Sequence, residues 1–234
     1  MRSKGLSSDE AIGYTLGLFI LVFVGFVIYS FIFHKKRKAV MSKYCLENGL
    51  KYTETSEQIL DCNEQFDMIL RGKDQCLDHI ISGTRGDYEF QIFDFCYTLE
   101  KPDPKFPKTT YNEEFTETIC CLKKKGKALP NFYMLTQSLI QTDVGFIPKV
   151  KEYIDVDLLR INDDKETVVV KTRNEDEILD FFDLPKTEAI KPIMKEEYIY
   201  EGKGEYLLVA NLEIMSIKER LELLDSAVKM FEVL

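Results

Sequence analysis

The segment Leu77–Tyr97 reads LDHIISGTRGDYEFQIFDFCY and decides the fold class. Two runs rich in β-branched and aromatic residues flank a turn that contains Gly83 and Gly86. Short runs of this composition on either side of a glycine-bounded turn are typical of a β-hairpin. The segment therefore predicts two neighbouring antiparallel strands.

Further strands are predicted on both sides of this hairpin. They share a high content of β-branched and aromatic residues and comprise Leu50–Thr53, Phe115–Leu122, Phe132–Thr136, Thr167–Thr172, Tyr198–Tyr200 and Tyr206–Leu212. The residues Gly202–Gly204 are predicted to form the turn of a second hairpin. Between Leu99 and Glu114 the three prolines cannot donate to a sheet ladder, so we expect an exposed loop there.

Helices are predicted mainly in the second half of the chain. A short helix is expected from Ser56 to about Phe66, another over Glu175–Phe182 and a third after Pro185. The last helix begins with the capping box Ser216–Glu219 and keeps apolar residues at a spacing of three to four. Because strands and helices do not alternate regularly, we predict an α+β domain with a largely antiparallel sheet and a C-terminal amphipathic helix.

The segment Ala11–Phe33, AIGYTLGLFILVFVGFVIYSFIF, contains 23 residues without a charge. A helix needs about 20 such residues to cross the hydrocarbon of a bilayer. A cleaved signal peptide fits less well, because its apolar region has about 7–15 residues and ends at a small-residue cleavage site. This segment instead continues into the cations Lys35–Lys38. We predict a transmembrane helix that extends a few turns further, to Gly49.

The charges that flank the span predict its orientation. Arg2 and Lys4 precede it, whereas the four cations of Lys35–Lys38 follow it directly. Since Lys and Arg near a span favour the cytoplasmic side, we expect the N-terminus outside and the larger part in the cytoplasm. The predicted organisation of the cell-membrane protein is a short extracytoplasmic tail (1–10), a transmembrane helix (11–33), a basic collar (34–38) and one globular domain (39–234).

Small residues recur on one side of the predicted transmembrane helix. Gly13 and Gly17 form a GxxxG pair, and Gly25 lies two further steps of four residues along. Such a face lets a second helix approach closely, so a homodimer through the membrane helix is one hypothesis. The alternative is that these glycines reflect only the high glycine content of transmembrane helices.

The formal net charge of -9 divides unequally along the chain. The first 38 residues contain six basic and two acidic residues, which leaves 25 basic and 38 acidic residues in 39–234, a net charge of -13. Nucleic-acid binding requires a basic surface that displaces counterions, so we expect no nucleic-acid partner. The partners that the sequence predicts are the lipid bilayer and a protein of unknown identity.

The cysteines and histidines do not form a metal-binding pattern along the sequence. Six cysteines contain no CxxC pair, and only His34 and His79 are available to complete a zinc site, so none is predicted. In a reducing cytoplasm the thiols should be free, and Cys120 and Cys121 should face opposite sides of their strand. Cys76 and His79 lie three positions apart, which on a regular strand separates them and prevents an activated thiolate.

The acidic residues are the remaining candidates for a catalytic or metal-binding role. Asp94, within an otherwise aromatic strand, is either a buried carboxylate that organises a site or a group that faces solvent or binds backbone donors. The clusters Asp155–Asp157, Asp163–Asp164 and Glu175–Glu177 do not match a calcium loop and are interpreted as turns and helix starts. Phosphate-binding glycine loops and hydrolase motifs are absent, so we predict no catalytic, cofactor-binding or metal-binding residue and do not favour an enzyme.

Several short patterns follow one another along the chain. They are the span, the basic collar, Gly49–Tyr52 (GLKY), Ile92–Tyr97 (IFDFCY), Leu129–Phe132 (LPNF), the acidic-start helix after Val168–Lys171, and Tyr200–Gly204 (YEGKG). In this order the chain resembles a group of prokaryotic single-pass membrane proteins of unassigned function. The resemblance implies a membrane-anchored cytoplasmic domain and implies no catalytic residue.

Two functions are compatible with these features. The first hypothesis is an interaction or scaffold domain that is tethered to the membrane and binds a protein. The alternative is a membrane-tethered small-ligand sensor or enzyme with a pocket near Asp94, since 16 Phe and 12 Tyr could line such a pocket.

Overall fold

The computed structural model describes residues 8–56, 66–103, 105–106, 108–141, 154–161 and 166–234. The chain divides into two compact units, Met1–Tyr44 and Cys45–Leu234. The predicted helix between Ser56 and Phe66, the acidic pair Asp163–Asp164 and Cys62 fall at least partly outside the described residues.

Within the described residues, nine strands and five helices follow one another along the chain. The helices are α1 (Ser8–Glu47), α2 (Gln137–Gln141), α3 (Glu175–Phe181), α4 (Leu184–Ile190) and α5 (Ile217–Val233). The strands are β1 (Lys51–Ser56), β2 (Lys73–Arg85), β3 (Tyr88–Pro102), β4 (Thr110–Lys123), β5 (Leu129–Thr136), β6 (Ile154–Ile161), β7 (Glu166–Thr172), β8 (Tyr198–Gly204) and β9 (Tyr206–Asn211).

The nine described strands form one sheet in the order β1-β2-β3-β4-β9-β8-β5-β7-β6. Every pair of neighbours is antiparallel. Strands β1 to β4 form a meander, whereas the hairpin β8–β9 lies between β4 and β5. The prediction of an α+β fold with a large antiparallel sheet and a C-terminal helix is confirmed.

Helix α1 contains the whole predicted span and is long and apolar enough to cross a membrane. Its large apolar side chains are exposed in the described part of the span, as lipid-facing side chains would be. The helix continues past the basic collar and ends where Gly49 adopts a φ of 66° and Leu50 N donates to Cys45 O at 2.8 Å. Glycine tolerates this left-handed conformation, so the predicted end of the helix is confirmed.

The predicted hairpin over Leu77–Tyr97 is confirmed as β2 and β3, which turn at Gly86 with a φ of 60°. The predicted turn was too wide, because Gly83 lies in β2 and pairs with Phe90. Strand β2 is irregular at two places, since Asp74 and His79 have φ values of 54° and 52° and the register with β3 shifts at both. These two β-bulges enclose Cys76, Leu77 and Asp78. Bulges change the direction in which neighbouring side chains point.

The prediction of an exposed loop over Leu99–Glu114 was wrong for most of that segment. Strand β3 continues to Pro102 and pairs along its whole length with β4, which begins at Thr110. Among the described residues, β3 beyond Thr98 has no partner in β2, and β4 before Thr118 has none in β9. Pro102 is tolerated because it lies at the end of this two-stranded extension, where its missing donor interrupts no central ladder. We call residues 99–113 the arm.

A second correction concerns the acidic cluster Asp155–Asp157, which was interpreted as a turn or a helix start. It lies in β6, at the edge of the sheet, and Asp155 Oδ1 accepts a hydrogen bond from Lys171 Nζ in β7 at 2.5 Å. The cross-strand cation stabilises an acidic residue at a strand position that composition alone disfavours. In contrast, the predicted acidic helix start is confirmed, because Asn174 caps α3 and accepts a bond from Glu177 N.

Both faces of the sheet are buried in its central strands. On one face, Phe93, Phe95, Ile119 and Cys121 belong to a cluster that also includes Phe66 and Met68. On the other face, α5 packs against β3, β4 and β9. Cys120 is fully buried but lies outside that cluster, so the prediction that Cys120 and Cys121 face opposite sides is confirmed.

Helix α5 has the N-terminus that its sequence predicts. The Ser216 hydroxyl accepts a bond from Glu219 N at 3.4 Å, and the Glu219 carboxylate accepts one from Ser216 N at 2.7 Å. The helix buries the side chains Arg220, Leu223, Leu224, Ser226, Ala227, Met230 and Phe231. Its apolar face is therefore interrupted by one buried cation.

Candidate functional site

That cation, Arg220, forms an ion pair with Asp94 under α5. Arg220 Nη2 donates to Asp94 Oδ1, which also accepts a hydrogen bond from Thr118 Oγ1 at 3.1 Å. Both charged side chains are almost completely buried. Arg220 Nε also donates to Met215 O at 3.2 Å and Nη1 to His79 O at 3.3 Å. The ion pair therefore links the first turn of α5 to β2, β3 and β4.

These contacts answer the question that the sequence left open for Asp94. The carboxylate does not face solvent, because it is buried and pairs with a buried guanidinium. Sequence reasoning did not identify Arg220. One signal was available: Arg220 lies three and four positions before Leu223 and Leu224, on the helix face that must be buried.

A second buried ion pair lies on the opposite face of the sheet, between Arg71 and Glu117. Arg71 Nη2 donates to Glu117 Oε2 at 2.7 Å, and Tyr97 Oη donates to Glu117 Oε1 at 2.5 Å. Burial raises the pKa of the Glu117 carboxyl, and the Arg71 cation opposes this effect. Arg71 Nε also binds Met68 O at 2.6 Å, so the pair fastens the segment 66–72 to β4.

The carboxylate of Glu201, in β8, holds the same segment at a second point. Its two oxygens accept hydrogen bonds from Asp67 N at 2.9 Å and from Met68 N at 3.0 Å. The residue is only 3% exposed. Burial raises the pKa of Glu201 to about 7, against the opposing effect of the two backbone donors. An acid with this pKa changes its charge near neutral pH.

A third polar group lies on the α5 side of the sheet, towards the arm. Cys76 in β2 pairs directly across the ladder with Cys96 in β3, and Asp78 pairs with Asp94 in the same register. The two Sγ atoms and a carboxylate oxygen of Asp78 all lie within 4.8 Å of one another. We call Cys76, Asp78 and Cys96 the thiol cluster. Sequence reasoning missed it because its two cysteines are brought together only by strand pairing.

The environment of the thiol cluster keeps its sulfur atoms protonated. Burial, together with the neighbouring Cys96 thiol and the Asp78 carboxylate, raises the pKa of the Cys76 thiol to about 12. Burial also raises the pKa of Cys96, and Thr116 Oγ1 donates to its Sγ at 3.7 Å. Neither thiol is activated as a nucleophile at neutral pH in this arrangement.

His79 makes a different contact from the one considered for a catalytic dyad. Its Nδ1 lies 2.8 Å from Tyr52 Oη in the neighbouring strand β1, and the two rings stack. The bulge at His79 breaks the regular alternation on which the prediction for Cys76 and His79 rested. The ring is instead accounted for by its contact with Tyr52.

The glycines proposed for helix packing lie within α1. A Cβ atom placed on Gly17 or Gly25 would meet nothing within 4 Å, so the helix surface is open at both positions in the single chain. Gly13 lies in the same helix, but its surroundings are outside the described residues.

These features define a chain with one helix apolar enough to span a membrane and a second unit built on a nine-stranded antiparallel sheet, as far as its residues are described. No family model matches the chain, and no curated protein matches it. Among solved structures, the chain is similar to the mycobacterial trehalose monomycolate transport factor A, TtfA. The TM-score is 0.56 at 16% sequence identity, and the match covers 85% of this chain and 92% of the other. The two proteins share a fold.

Proposed function

We propose that this chain is a single-pass membrane protein whose sheet domain lies in the cytoplasm and binds a membrane-protein partner as an accessory factor in transport. The observation that carries the proposal is that a chain with the fold of a transport factor also contains one helix suited to span a bilayer. The basic collar Lys35–Lys38, which directly follows the apolar segment, supports the cytoplasmic orientation.

The buried charges support an interaction role over a catalytic one. Asp94 and Glu117, two acids of the central strands that could otherwise serve as an acid or base, are each engaged by a buried arginine. A catalytic acid or base must reach a substrate, whereas these carboxylates bind neighbouring elements to the sheet. Their contacts therefore favour the interaction hypothesis over a sensor or enzyme with a pocket near Asp94.

We propose the arm as the surface that contacts the partner. It extends beyond the strands that flank it and exposes two aromatic side chains, Phe106 at 65% and Tyr111 at 43%. Asp103 Oδ1 orders the tip by accepting bonds from Lys105 N at 2.7 Å and Phe106 N at 3.2 Å. An aromatic side chain on an ordered turn provides a large contact area at a small entropic cost.

Site-specific photo-crosslinking in cells tests this proposal. A photoreactive residue at Phe106 of the full chain should give one dominant adduct with a membrane protein, identified by mass spectrometry. The same probe at Leu184, an exposed apolar position in α4, is the matched control and should not give that adduct. Equal labelling from both positions would contradict the role of the arm. A co-purifying small molecule without a stoichiometric protein partner would instead favour the sensor or enzyme.

The orientation of the domain is tested separately. Reporter fusions after Leu234 should be active if they require the cytoplasm and inactive if they require export. Removal of the positive charges of Lys35, Lys36 and Lys38 should weaken this preference. An exported C-terminal reporter on the unaltered chain would contradict the proposed orientation.

We further propose that α1 self-associates through the face that contains Gly13, Gly17 and Gly25. The substitution Gly17→Ile should lower self-association of the span in a membrane reporter assay, because the larger side chain prevents close approach of two helices. Phe19→Ile is the matched control, since a position two residues away lies on nearly the opposite side of a helix. Unchanged association of Gly17→Ile would contradict the dimer.

A further inference from the structure

The thiol cluster has the geometry of a metal site. Cys76 and Cys96 face each other on neighbouring strands, and Asp78 follows Cys76 by two positions on the same side of β2. Asp78 Oδ2 lies 3.8 Å from Cys76 Sγ and 4.0 Å from Cys96 Sγ. We propose that Cys76, Asp78 and Cys96 bind one divalent metal ion of the zinc type.

The two sulfur–oxygen distances are close to those around a tetrahedral ion. With metal–sulfur bonds of about 2.3 Å and metal–oxygen bonds of about 2.0 Å, tetrahedral angles place sulfur and oxygen ligands about 3.5 Å apart. The observed sulfur–oxygen separations of 3.8 and 4.0 Å exceed this value by a few tenths of an ångström. Rotation of the three side chains can close the difference without a change in the strands.

The donor set selects the kind of ion. Two thiolates and one carboxylate suit Zn²⁺, which accepts sulfur and oxygen ligands in tetrahedral geometry, and do not suit Mg²⁺ or Ca²⁺, which prefer oxygen ligands. Cys76 is exposed, so the fourth position faces solvent and can hold water or an external ligand. The site is therefore open rather than closed by a fourth side chain.

The local electrostatics leave a place for a cation. Asp78 Oδ1 is buried and makes no hydrogen bond with the described part of the chain. A buried carboxylate with an unpaired oxygen is unfavourable, and a cation bound at Oδ2 would offset part of its negative charge. The opposing Asp94 is already paired with Arg220, so it does not compete for the ion. Thr116 supports Cys96 through its hydroxyl.

The position of the ion would link metal binding to the arm. The ligands join β2 to β3 next to Lys73 and Thr98, the last pair before β3 leaves β2 and continues into the arm. The bulges at Asp74 and His79 place both β2 ligands between two irregular points of the strand. An ion there would fix the base of the arm against the sheet, where the ladder between β2 and β3 ends.

Cobalt titration tests the site without any assay of activity. The full-length protein in detergent, freed of metal and kept reduced, is titrated with Co²⁺, whose thiolate charge-transfer bands report sulfur ligands. We expect saturation at one equivalent and loss of the bands when Zn²⁺ is added. Because the free thiols are protonated, binding should release close to two protons, measured by calorimetry in buffers of different ionisation enthalpy.

Single substitutions assign the ligands. Loss of a residue that only supports a metal ligand weakens binding by about 10–100-fold. Cys76→Ser and Cys96→Ser remove ligands themselves, so each should weaken Zn²⁺ binding by more than this. Asp78→Asn should retain the sulfur bands at lower affinity. Cys45→Ser, which removes a buried thiol elsewhere, is the control and should bind as the unaltered protein does. Circular dichroism of each variant verifies folding.

Three results would overturn the proposal. The first is the absence of sulfur bands in the reduced, folded protein. The second is bands that persist unchanged in both Cys76→Ser and Cys96→Ser. The third is rapid formation of a disulfide between Cys76 and Cys96 that one equivalent of Zn²⁺ does not slow. That result would identify the two thiols as a redox pair instead of metal ligands.

Discussion

The buried carboxyl of Glu201 should make the free energy of unfolding fall as the pH rises towards neutrality. Its pKa is about 7 in the folded protein, against 4.5 for an ordinary glutamate. Between these values the Glu201 carboxyl binds more protons in the folded state than in the unfolded state, so its contribution to stability is fully present below pH 4.5 and declines until the pH passes 7. The difference corresponds to about 3 kcal/mol at 1.36 kcal/mol per pKa unit.

The substitution Glu201→Gln removes this titration with little change in shape. The neutral amide resembles the protonated carboxyl, and its oxygen can still accept a bond from the segment 66–72. At pH 5 the variant and the unaltered protein should therefore differ in stability by no more than about 1 kcal/mol. At pH 8 the variant should be more stable by about 3 kcal/mol, which corresponds to about 6–12 °C in Tm for a domain of this size.

Urea unfolding of the full chain in detergent, followed by circular dichroism of the sheet, measures both values. Glu188→Gln, at an exposed position of α4, is the matched control and should leave the pH dependence unchanged. If the free energy of unfolding changes between pH 5 and pH 8 by the same amount in Glu201→Gln as in the unaltered chain, burial of this carboxyl is not the source of the pH dependence. A variant that is less stable at pH 8 would show that the ionised form is the better partner of Asp67 N and Met68 N.

Two further substitutions test the packing of the sheet by the same measurement. Arg220→Met should lower the free energy of unfolding by about 3–5 kcal/mol, because it leaves the buried Asp94 carboxylate without its cation. The double variant with Asp94→Asn should recover part of this loss, and no recovery would contradict the pairing. Gly202→Ala should lower the free energy of unfolding by about 1–3 kcal/mol, because the added Cβ would lie 2.2 Å from the Phe132 ring. A stability equal to that of the unaltered protein would show that the ring moves freely.

The elements that the sequence predicted well carry their signals locally. The span, the hairpin around Gly86 and the capping box at Ser216 are each decided by residues that are close together in the chain. The failures had non-local causes. The prolines of the arm indicated a loop, but β3 and β4 pair across that segment, and the acidic strand β6 is tolerated because Lys171 lies opposite Asp155.

The candidate sites were harder to predict for the same reason. Cys76 and Cys96 are adjacent only because β2 and β3 pair in one register. Asp94 was recognised as unusual, but its partner Arg220 lies 126 positions later. Composition could show that such residues need partners, and only the topology could show which partners they have.

The insertion of the hairpin β8–β9 between β4 and β5 determines when this fold can be completed. The meander β1–β4 is synthesised well before β9, which pairs with the open edge of β4, and β5 is likewise synthesised before its partner β8. Until then, each part presents an open strand edge, which is prone to pair with other chains. Because α1 precedes the nine described strands in the chain, its insertion into a bilayer would hold the nascent domain at the membrane surface, apart from soluble proteins with open strand edges, during that interval. A helix that spans the membrane would then protect the domain while it folds, in addition to determining where the folded domain lies.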